Sequence, residues 1–506
     1  MPKVSKIIGP PGCGKTTQLL QYVDAAVKKH GSDAVGATSY TKASVETIVK
    51  RVQAAGFAVP TNVRTLHSHC FRLLRLKDDQ VCEPDKKRNF RLFTEAHPEW
   101  EMDNPLSTED DRYYNNQGAS PNAEVYNRMQ NYRHMCLPID KWDDTTVSLY
   151  NAWIPFLKEN DFYDYSLMLE ECIHRELAPS DVVVLFVDEA QDLTLLQYKL
   201  VQMWMRDIDS TVFFGDSCQS IYRWAGVTPE VFMDIQPVWK ILDQSYRIPQ
   251  TVQEYSINII SAVLRREDAP YKPTSIKGNV YHCSEPDLSL PGTHMLIART
   301  NRNVGYWVRY LIENNTIWHN PLRPKDTLWN PTASNDWKAY GIFKKLQKQK
   351  INGLELQHLA SQITVRDTME RGLKAKIARW NEDETTQLYS FLDLLQLGFT
   401  PAFLEGKIPP KLWLNNSAQY IQNIENLYIP TVPNVILGTI HSVKGGEADH
   451  VWVDSTISKF MAKNIDADYN IHDEECRIAY VAATRARHTL GILDSRNKYY
   501  SNPFLF

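Results

Sequence analysis

Short apolar runs alternate with longer stretches of helical character along much of the chain. The clearest early runs are VSKII at 4–8, VVVLFVD at 182–188 and VFFGD at 212–216. A later set consists of HMLIART at 294–300, VILGTIH at 435–441 and HVWVDS at 450–455, followed by the helix-like EECRIAYVAATRAR. Because alternating strands and helices are typical of parallel sheets covered by helices, the pattern predicts an α/β fold with a second α/β core late in the chain.

Two polar regions interrupt this alternation. Residues 76–165 contain DDQ, EDDRYYNNQG and several prolines, and residues 305–430 are rich in Lys, Asn and Gln. Neither region contains a strand-like run. We interpret both as mainly helical insertions.

Composition narrows the class of protein. The chain has 506 residues, 43% hydrophobic and 23% charged, as expected of a soluble protein with two or more cores. A net charge of −4 excludes a uniformly basic surface, so a nucleic-acid contact should be a local groove.

The 8 cysteines form no zinc or redox motif, which favours a reduced, cytoplasmic setting. The sequence shows no secretory leader and no apolar run of about 18 residues, so we expect no membrane association.

GPPGCGKT, from Gly9 to Thr16, has the spacing of a P-loop, follows a strand-like run and precedes the helical TQLLQYVDAAVKK. Its glycines let backbone N–H groups surround phosphates, Lys15 supplies a positive charge to the β/γ oxygens, and Thr16 can hold Mg²⁺. The predicted ligand is a nucleoside triphosphate, although the motif alone leaves kinase, GTPase and motor open. The residues predicted to contact it are Gly9, Pro10, Pro11, Gly12, Cys13, Gly14, Lys15, Thr16 and Thr17.

A second motif, DEAQD at 188–192, ends the strongest strand-like run of the chain. Side chains at this position emerge at the edge of a parallel sheet. We predict that Asp188 coordinates Mg²⁺ and that Glu189 polarises the attacking water, since phosphoryl transfer requires mainly positioning and charge stabilisation. The alternative interpretation is a solvated acidic turn.

DEAQD together with FFGDSCQSIYRWAG at 213–226 resembles the UvrD, Rep and PcrA group of superfamily 1 (SF1A) DNA helicases. Further segments resemble that family's motifs and follow in its order: TSYTKAS at 38–44, TLHSHCFRLLR at 65–75, LDQSYR at 242–247, GTIHSVKGGEADHV at 438–451 and EECRIAYVAATRAR at 474–487. The resemblance covers nearly the whole chain. It implies two RecA-like P-loop cores with ATP and Mg²⁺ between them and single-stranded DNA crossing both.

The same resemblance implies a division of the chain. The expected segments are core 1A at 1–75 and 166–240, helical insertion 1B at 76–165, core 2A at 241–304 and 431–506, and a shortened insertion 2B at 305–430. The short second insertion, and a chain that stops soon after the sixth motif, favour a compact enzyme of bacteriophage origin.

Five residues outside the P-loop and DEAQD acquire nucleotide-related roles from the resemblance. Gln219 would sense the γ-phosphate, and Arg247 and Arg485 would reach it from the opposite core. Tyr246 would stack on the base, and Glu447 would meet the ribose. Arginines that close across a cleft neutralise charge on the transferred phosphoryl group, so hydrolysis would be fast only when the cores close around ATP. For the two arginines the alternative is a surface salt bridge.

The resemblance also places four residues on DNA: His67, Tyr222, Trp224 and His441. Both aromatics follow Gln219 within a few residues, so nucleotide state would be coupled to a base-stacking surface. Stacking contributes about 1–3 kcal/mol per base and tolerates any base sequence, as a motor requires. The alternative for all four is packing within the protein core.

We therefore expect an ATP-dependent helicase or translocase that moves 3′ to 5′ on single-stranded DNA and acts at single-strand/duplex junctions. It is expected to be a monomer in the bacterial cytosol or an infected host cell, with replication or repair proteins as partners through insertion 2B. The P-loop begins at Gly9, so we expect the chain to lack the preceding segment that reads adenine in relatives, which leaves nucleotide selectivity open. Alternative functions are an ATPase that translocates or displaces proteins without unwinding, an RNA motor, and a nucleotide switch.

Overall fold

The computed structural model describes most of the chain, namely residues 3–39, 42–84, 87–102, 120–323, 330–331, 334–409, 412, 433–496 and 500–505. The chain divides into two compact units. The first consists of Met1–Pro286, Ala298–Asn301 and Glu447–Phe506, and the second of Asp287–Ile297 and Arg302–Gly446. All the residues predicted to contact the nucleotide lie in the first unit.

The strands are β1 (Val4–Ile8), β2 (Val35–Thr38), β3 (Asn62–Val63), β4 (Val184–Val187), β5 (Ser210–Gly215), β6 (Val238–Ile241), β7 (Asn279–Cys283), β8 (His294–Ala298), β9 (Trp318–His319), β10 (Ile351–Asn352), β11 (Leu388–Tyr389), β12 (Val435–Thr439), β13 (Ala448–Asp454) and β14 (Ala486–Leu493).

The α-helices are α1 (Lys15–His30), α2 (Lys42–Ala54), α3 (Leu66–Leu73), α4 (Lys87–Ala96), α5 (Pro121–His134), α6 (Asp144–Glu159), α7 (Tyr165–His174), α8 (Leu195–Trp204), α9 (Pro229–Met233), α10 (Gln250–Ser261), α11 (Asn301–Glu313), α12 (Asn335–Leu346), α13 (Gly353–Gln362), α14 (Leu373–Ile377), α15 (Glu382–Thr386), α16 (Phe391–Leu397), α17 (Pro401–Leu404), α18 (Lys459–Asn464) and α19 (Tyr469–Ala483).

The first sheet lies in the first unit and has six parallel strands in the order β3-β2-β4-β5-β1-β6. Its central strands are apolar on both faces, as expected of a parallel sheet covered by helices. On β4, Leu185 and Val187 pack into one buried cluster, whereas Val184 and Phe186 pack into another. The carboxyl ends of β1, β4 and β5 meet at one edge of this sheet, which is where ligands bind in folds of this class.

A second sheet has six strands in the order β7-β14-β13-β8-β12-β9. Strand β14 pairs in parallel with both β13 and β7, and β12 pairs in parallel with β9. The two six-stranded sheets flanked by helices confirm the predicted α/β fold with two RecA-like cores. The individual segment boundaries stay predictions.

The region predicted as the first insertion has a core of its own. Phe93, Tyr126 and Trp153, from three different helices, are buried in one apolar cluster. Their rings meet edge to face, with Trp153 4.7 Å from Phe93 and 5.5 Å from Tyr126 between centroids. Such contacts fix the relative positions of α4, α5 and α6.

Every strand-like run named from the sequence falls on a strand, but the helix predicted over the sixth motif ends earlier than expected. Helix α19 ends at Ala483 and β14 begins at Ala486. The Nε of Arg485 donates to the carbonyl oxygen of Val481 (2.8 Å), which satisfies a carbonyl of the last helical turn. Arg485 therefore lies in a turn between helix and strand. Across the described residues, no helix combines the length and apolar character needed to cross a membrane.

Candidate nucleotide-binding site

The predicted P-loop connects β1 to α1 at the ligand-binding edge of the first sheet. Gly12 and Gly14 have φ values of +72° and +75°, a backbone conformation that glycine adopts without strain. Helix α1 begins at Lys15, directly after Gly14. A glycine-rich turn before a helix N-terminus provides backbone N–H groups and a positive dipole end for phosphate.

The other P-loop residues differ in how far their side chains are exposed to solvent. Cys13 is buried, and burial raises the pKa of its thiol to about 12, so it stays a neutral thiol at neutral pH. Its Sγ lies 3.9 Å from the carbonyl oxygen of Pro11. Thr16 is half-buried and Thr17 is exposed, both in the first turn of α1. The backbone N–H of Gly9 donates to the carbonyl oxygen of Gly215 (2.9 Å), which ties the loop to the end of β5.

The segment Ser245–Arg247 packs directly against this loop. The Ser245 hydroxyl donates to the carbonyl oxygen of Pro11 (2.8 Å), and the Tyr246 N–H donates to that of Gly12 (2.9 Å). A Cβ added at Gly12 would lie 2.5 Å from the Cβ of Arg247, so only glycine permits this approach. The structure therefore brings the predicted arginine and base-stacking tyrosine to the P-loop.

The tyrosine side chain projects beyond this contact. Tyr246 is 77% exposed, which is high for an aromatic residue. A Cβ added at Gly14 would lie 3.8 Å from its ring, so the ring flanks the start of α1. An exposed ring beside a phosphate cradle is suited to stacking on a nucleobase.

The acidic pair lies at the end of β4, opposite Lys15. The Lys15 Nζ is 3.7 Å from Glu189 Oε2. Burial, and then the charge of Glu189, raise the pKa of Asp188 to about 7. Glu189 has φ 50° and ψ 42°, a left-handed conformation that is uncommon for glutamate and is found at functional sites more often than elsewhere.

The charges around Lys15 fit a bound divalent cation. Burial acts to lower the pKa of Lys15, but the surrounding carboxylates, led by Glu189, raise it above its ordinary value. One lysine thus faces several buried carboxylates, an excess of negative charge that a cation would offset. Within the described ranges, no cluster of three or more His, Cys, Asp or Glu side chains could hold a metal alone. Mg²⁺ commonly binds through one or two carboxylates together with water and phosphate oxygens.

A chain of hydrogen bonds, one of them from the backbone of Asp216, leads from the acidic pair to Gln219. Gln191 Nε2 donates to Glu189 Oε2 (2.6 Å), and Gln191 Oε1 accepts from the backbone N–H of Asp216 (3.0 Å). Gln219 Nε2 in turn donates to Asp216 Oδ2 (2.7 Å). Gln191 and Asp216 were not assigned roles from the sequence, although both lie within the motifs that carry the family resemblance.

Arg485 completes this chain from the turn after α19. Its Nη2 donates to Gln219 Oε1 (3.1 Å), and its side chain is among the largest that are fully buried. Burial, and then the charge of Arg247, lower the pKa of Arg485 to about 9, which leaves it charged at neutral pH. Lys15 and Arg485 are thus connected through Glu189, Gln191, Asp216 and Gln219.

Glu447 is held by two arginines. Arg247 Nε and Arg487 Nη2 each donate to one of its carboxylate oxygens. Burial acts to raise the pKa of Glu447, but the charges of Arg247 and Arg487 outweigh it and hold the pKa below the ordinary value. The carboxylate therefore fixes the orientation of Arg247 beside the P-loop. The sequence analysis assigned no role to Arg487, whose only signal was its place at the end of the sixth motif, two residues after Arg485.

The residues predicted to contact DNA lie in different places. We call Tyr222–Gly226 the aromatic loop; its two rings, Tyr222 and Trp224, are half-buried and lie edge to face with centroids 6.3 Å apart. His67 is the second residue of α3 and lies beside the ring of Tyr165 (5.3 Å), and burial lowers its pKa to about 4. His441 lies in the second unit, where it is buried in the turn that follows β12.

Family models and curated relatives both identify helicases as the proteins that this chain is similar to. The family model for the UvrD/REP helicase N-terminal domain matches residues 2–239, and that for the UvrD-like helicase C-terminal domain matches residues 338–497. A probable DNA helicase of Mycoplasma pneumoniae is 26% identical over 292 residues, covering 52% of this chain and 54% of that protein. The ATP-dependent DNA helicase UvrD2 of Mycobacterium tuberculosis is 23% identical over 333 residues, covering 60% and 46%.

A further relative is the ATP-dependent DNA helicase PcrA of Staphylococcus aureus, 21% identical over 303 residues that cover 55% of this chain and 41% of that protein. The chain spans about half the length of the curated relatives it matches. Among solved structures, an arterivirus nonstructural protein 10 helicase with DNA aligns over 98% of this chain and 62% of that chain, at 11% identity and a TM-score of 0.35.

Proposed function

Because the chain belongs to the UvrD-like helicase family, we propose that it is an ATP-driven motor that moves on single-stranded DNA and unwinds duplex DNA. Movement from 3′ to 5′, action as a monomer, and engagement of replication or repair proteins through the second insertion are parts of this proposal. The observation that supports it best is the chain of contacts from Lys15 to Arg485 through Gln219, which consists of the Lys15–Glu189 ion pair and the hydrogen bonds that follow it.

In the proposed reaction, Lys15 and the P-loop N–H groups hold the phosphates, and Glu189 orients and deprotonates the attacking water. Arg247 and Arg485 neutralise charge on the transferred phosphoryl group. Mg²⁺, held by Asp188 and Thr16, would supply further charge neutralisation at the phosphate oxygens. Each of these residues belongs to the P-loop or to DEAQD, or contacts the P-loop or Gln219 as described above.

Gln219 provides the proposed link between hydrolysis and movement. Its amide binds Asp216 on one side and Arg485 on the other, so loss or gain of a γ-phosphate would change both contacts. The aromatic loop begins three residues later at Tyr222. A change at Gln219 would therefore be transmitted over a short segment to rings that stack on bases.

The first test is ATP hydrolysis by the purified protein without nucleic acid, with single-stranded DNA and with single-stranded RNA, each at the same salt concentration. We expect DNA to stimulate hydrolysis strongly. Equal rates in all three reactions would refute the motor and favour a nucleotide switch, and greater stimulation by RNA would favour an RNA motor.

The second test separates unwinding from movement alone. Duplexes with a 3′ or a 5′ single-stranded overhang are incubated with the protein and ATP, and strand separation is measured. We expect separation with the 3′ overhang. Displacement of a bound protein from single-stranded DNA without strand separation would favour a translocase that does not unwind.

A further inference from the structure

The carboxyl end of α5, in the predicted first insertion, contacts the backbone of the aromatic loop. Asn131 Nδ2 donates to the carbonyl oxygen of Trp224 (2.8 Å). The Nδ1 of His134 lies 3.0 Å from the carbonyl oxygen of Ala225. Because a carbonyl oxygen only accepts hydrogen bonds, Nδ1 must carry the proton. Two consecutive carbonyl groups of the loop are thus bound by side chains one helical turn apart.

The sequence of the loop permits this close approach. Gly226 has φ +82°, and a Cβ added there would lie 2.8 Å from the Cβ of His134. A larger residue would therefore push the loop away from α5. The loop backbone is held at its carboxyl end by the insertion, whereas Gln219, three residues before its start, is held by Asp216 and Arg485.

Helix α5 is itself fixed by a buried ionic network. Arg133 binds Asp164 (2.5 Å) and Glu170 (2.8 Å), and the Arg133 and Asp164 side chains are almost completely buried. Trp153 Nε1 also donates to Asp164 (2.7 Å). Breaking such a network costs several times more than an exposed pair, so α5 is a rigid support for the loop.

The side of the His134 ring opposite Ala225 faces the same network. Ser166 Oγ lies 3.1 Å from His134 Nε2 and donates its single hydroxyl hydrogen to Gln130 Oε1 (2.6 Å), and Gln130 Nε2 donates to Asp164 (3.0 Å). The imidazole is therefore oriented by its hydrogen bond to Ala225, and Ser166, the first residue after the predicted insertion, packs against its other side.

We infer that Asn131 and His134 are positioning residues, through which the first insertion holds the aromatic loop in the geometry that couples DNA contact to ATP turnover. This inference rests on the proposed function, because it requires that DNA stimulate hydrolysis. Neither side chain belongs to the proposed nucleotide site, so their loss should leave hydrolysis without DNA unchanged. Their loss should lower the stimulation that DNA produces.

The test compares Asn131→Ala and His134→Phe with wild type in ATPase assays with and without single-stranded DNA. We expect unchanged basal rates and a fall of about fivefold in the DNA-stimulated rate or in the apparent affinity for DNA, the effect of one lost hydrogen bond. His134→Asn should restore the wild-type response, because its amide nitrogen replaces Nδ1 as donor. Asn122→Ala is the matched control, since Asn122 binds the Glu99 and Glu101 carbonyls from the other end of α5.

A variant on the loop side provides an independent measurement. Gly226→Ala should reduce DNA stimulation in the same way, whereas Gly56→Ala, also at positive φ (+72°) but with nothing within 4 Å, should not. Wild-type DNA stimulation in Asn131→Ala and His134→Phe would overturn the inference and leave the proposed function intact. A parallel loss of basal rate and thermal stability would also overturn it, because the residues would then be merely structural. No stimulation of the wild-type protein by any nucleic acid would refute the proposed function itself.

Discussion

The guanidinium of Arg485 donates a hydrogen bond to the side-chain oxygen of Gln219 across 3.1 Å, while the same amide donates to Asp216. The proposed phosphate sensor and the proposed arginine are thus in direct contact. A γ-phosphate would compete with Gln219 for this arginine. Exchange of one partner for the other gives the site two distinct arrangements, which a switch requires.

Gln219→Glu should lower the maximal rate of DNA-stimulated hydrolysis by about tenfold or more, with little change in KM for ATP. The new carboxylate cannot donate to Asp216 and would bind Arg485 more strongly than the amide does, which keeps that arginine from the phosphoryl group. Steady-state kinetics measure both constants. Gln202→Glu, on the exposed face of α8, is the control. An unchanged maximal rate would contradict the proposed role of Gln219.

Lys15→Ala should reduce ATP turnover about 100-fold or more while leaving single-stranded DNA binding intact. Lys15 is the cation that faces Glu189 (3.7 Å) at the start of α1, and it makes none of the contacts described above for the aromatic loop. Hydrolysis assays and DNA-binding titrations are run on the same preparation. Lys28→Ala on the same helix, where Lys28 pairs with Asp24 in solvent, should behave as wild type. Substantial residual turnover would rule out the P-loop assignment.

Trp224→Ala should weaken single-stranded DNA binding by about tenfold and reduce DNA stimulation, because one stacked base is worth about 1–3 kcal/mol. Binding is measured at fixed salt, and basal hydrolysis should not change. Trp380→Ala removes another ring from an aromatic pair, with Tyr389 at 5.0 Å, and provides the control in the second unit. If Trp224→Ala protein binds DNA and responds to it as wild type does, the aromatic loop is not the DNA contact.

The sequence predicted the elements that carry chemistry better than those that position them. The sequence predicted strands β1, β4 and β5 because the apolar runs of a parallel sheet are continuous and end at polar motifs. Strand β6 was not predicted, because it is a short, exposed strand of four residues, VWKI, whose apolar run is interrupted by Lys240. The end of α19 was missed because the turn at Arg485 depends on a bond from its side chain to Val481, which no spacing rule reveals.

In the candidate site, too, the sequence identified residues with a chemical role better than residues that position them. The predicted roles of Lys15 and Asp188 follow from the P-loop and DEAQD motifs, and that of Arg485 follows from the family resemblance, since these motifs are contiguous in sequence. The contacts of Asn131 and His134 with the aromatic loop join residues separated by about 90 positions, and no local pattern marks them. Long-range hydrogen bonds of this kind are specified by tertiary packing and are accessible only from coordinates.

Lys6→Met should destabilise the first unit by about 3 kcal/mol, because it leaves the largely buried carboxylate of Glu267 without its cation. Lys6 has a completely buried side chain on β1 and binds Glu267 (2.5 Å) together with the carbonyl oxygens of Phe232 and Met233. Urea unfolding monitored by tryptophan fluorescence measures the loss. Adding Glu267→Leu should restore much of the stability, since replacing both charges removes the uncompensated group. A single variant as stable as wild type would show that this ion pair is not needed.

His69→Phe should make folding less sensitive to acid. His69 is 4% exposed, its ring lies edge to face with Trp204 (5.5 Å), and its Nε2 has no hydrogen-bond partner among the described residues. Burial, and then the charges of Arg64 and Arg72, lower its pKa to about 4 from 6.5. Between these values the unfolded chain binds more protons than the folded one, so stability is complete above pH 6.5 and falls as the pH drops toward 4.

The expected loss from His69 alone between pH 7.5 and pH 5.0 is about 2 kcal/mol. Phenylalanine keeps the ring and cannot be protonated, so His69→Phe should lose that much less than wild type when unfolding free energies are compared at the two pH values. His30→Phe, which replaces an exposed histidine at the end of α1, should retain the full wild-type pH dependence. Equal acid sensitivity in wild type and His69→Phe would contradict this prediction. It would mean that His69 is protonated as readily in the folded protein as in the unfolded chain, although its buried site beside two arginines disfavours the charged form.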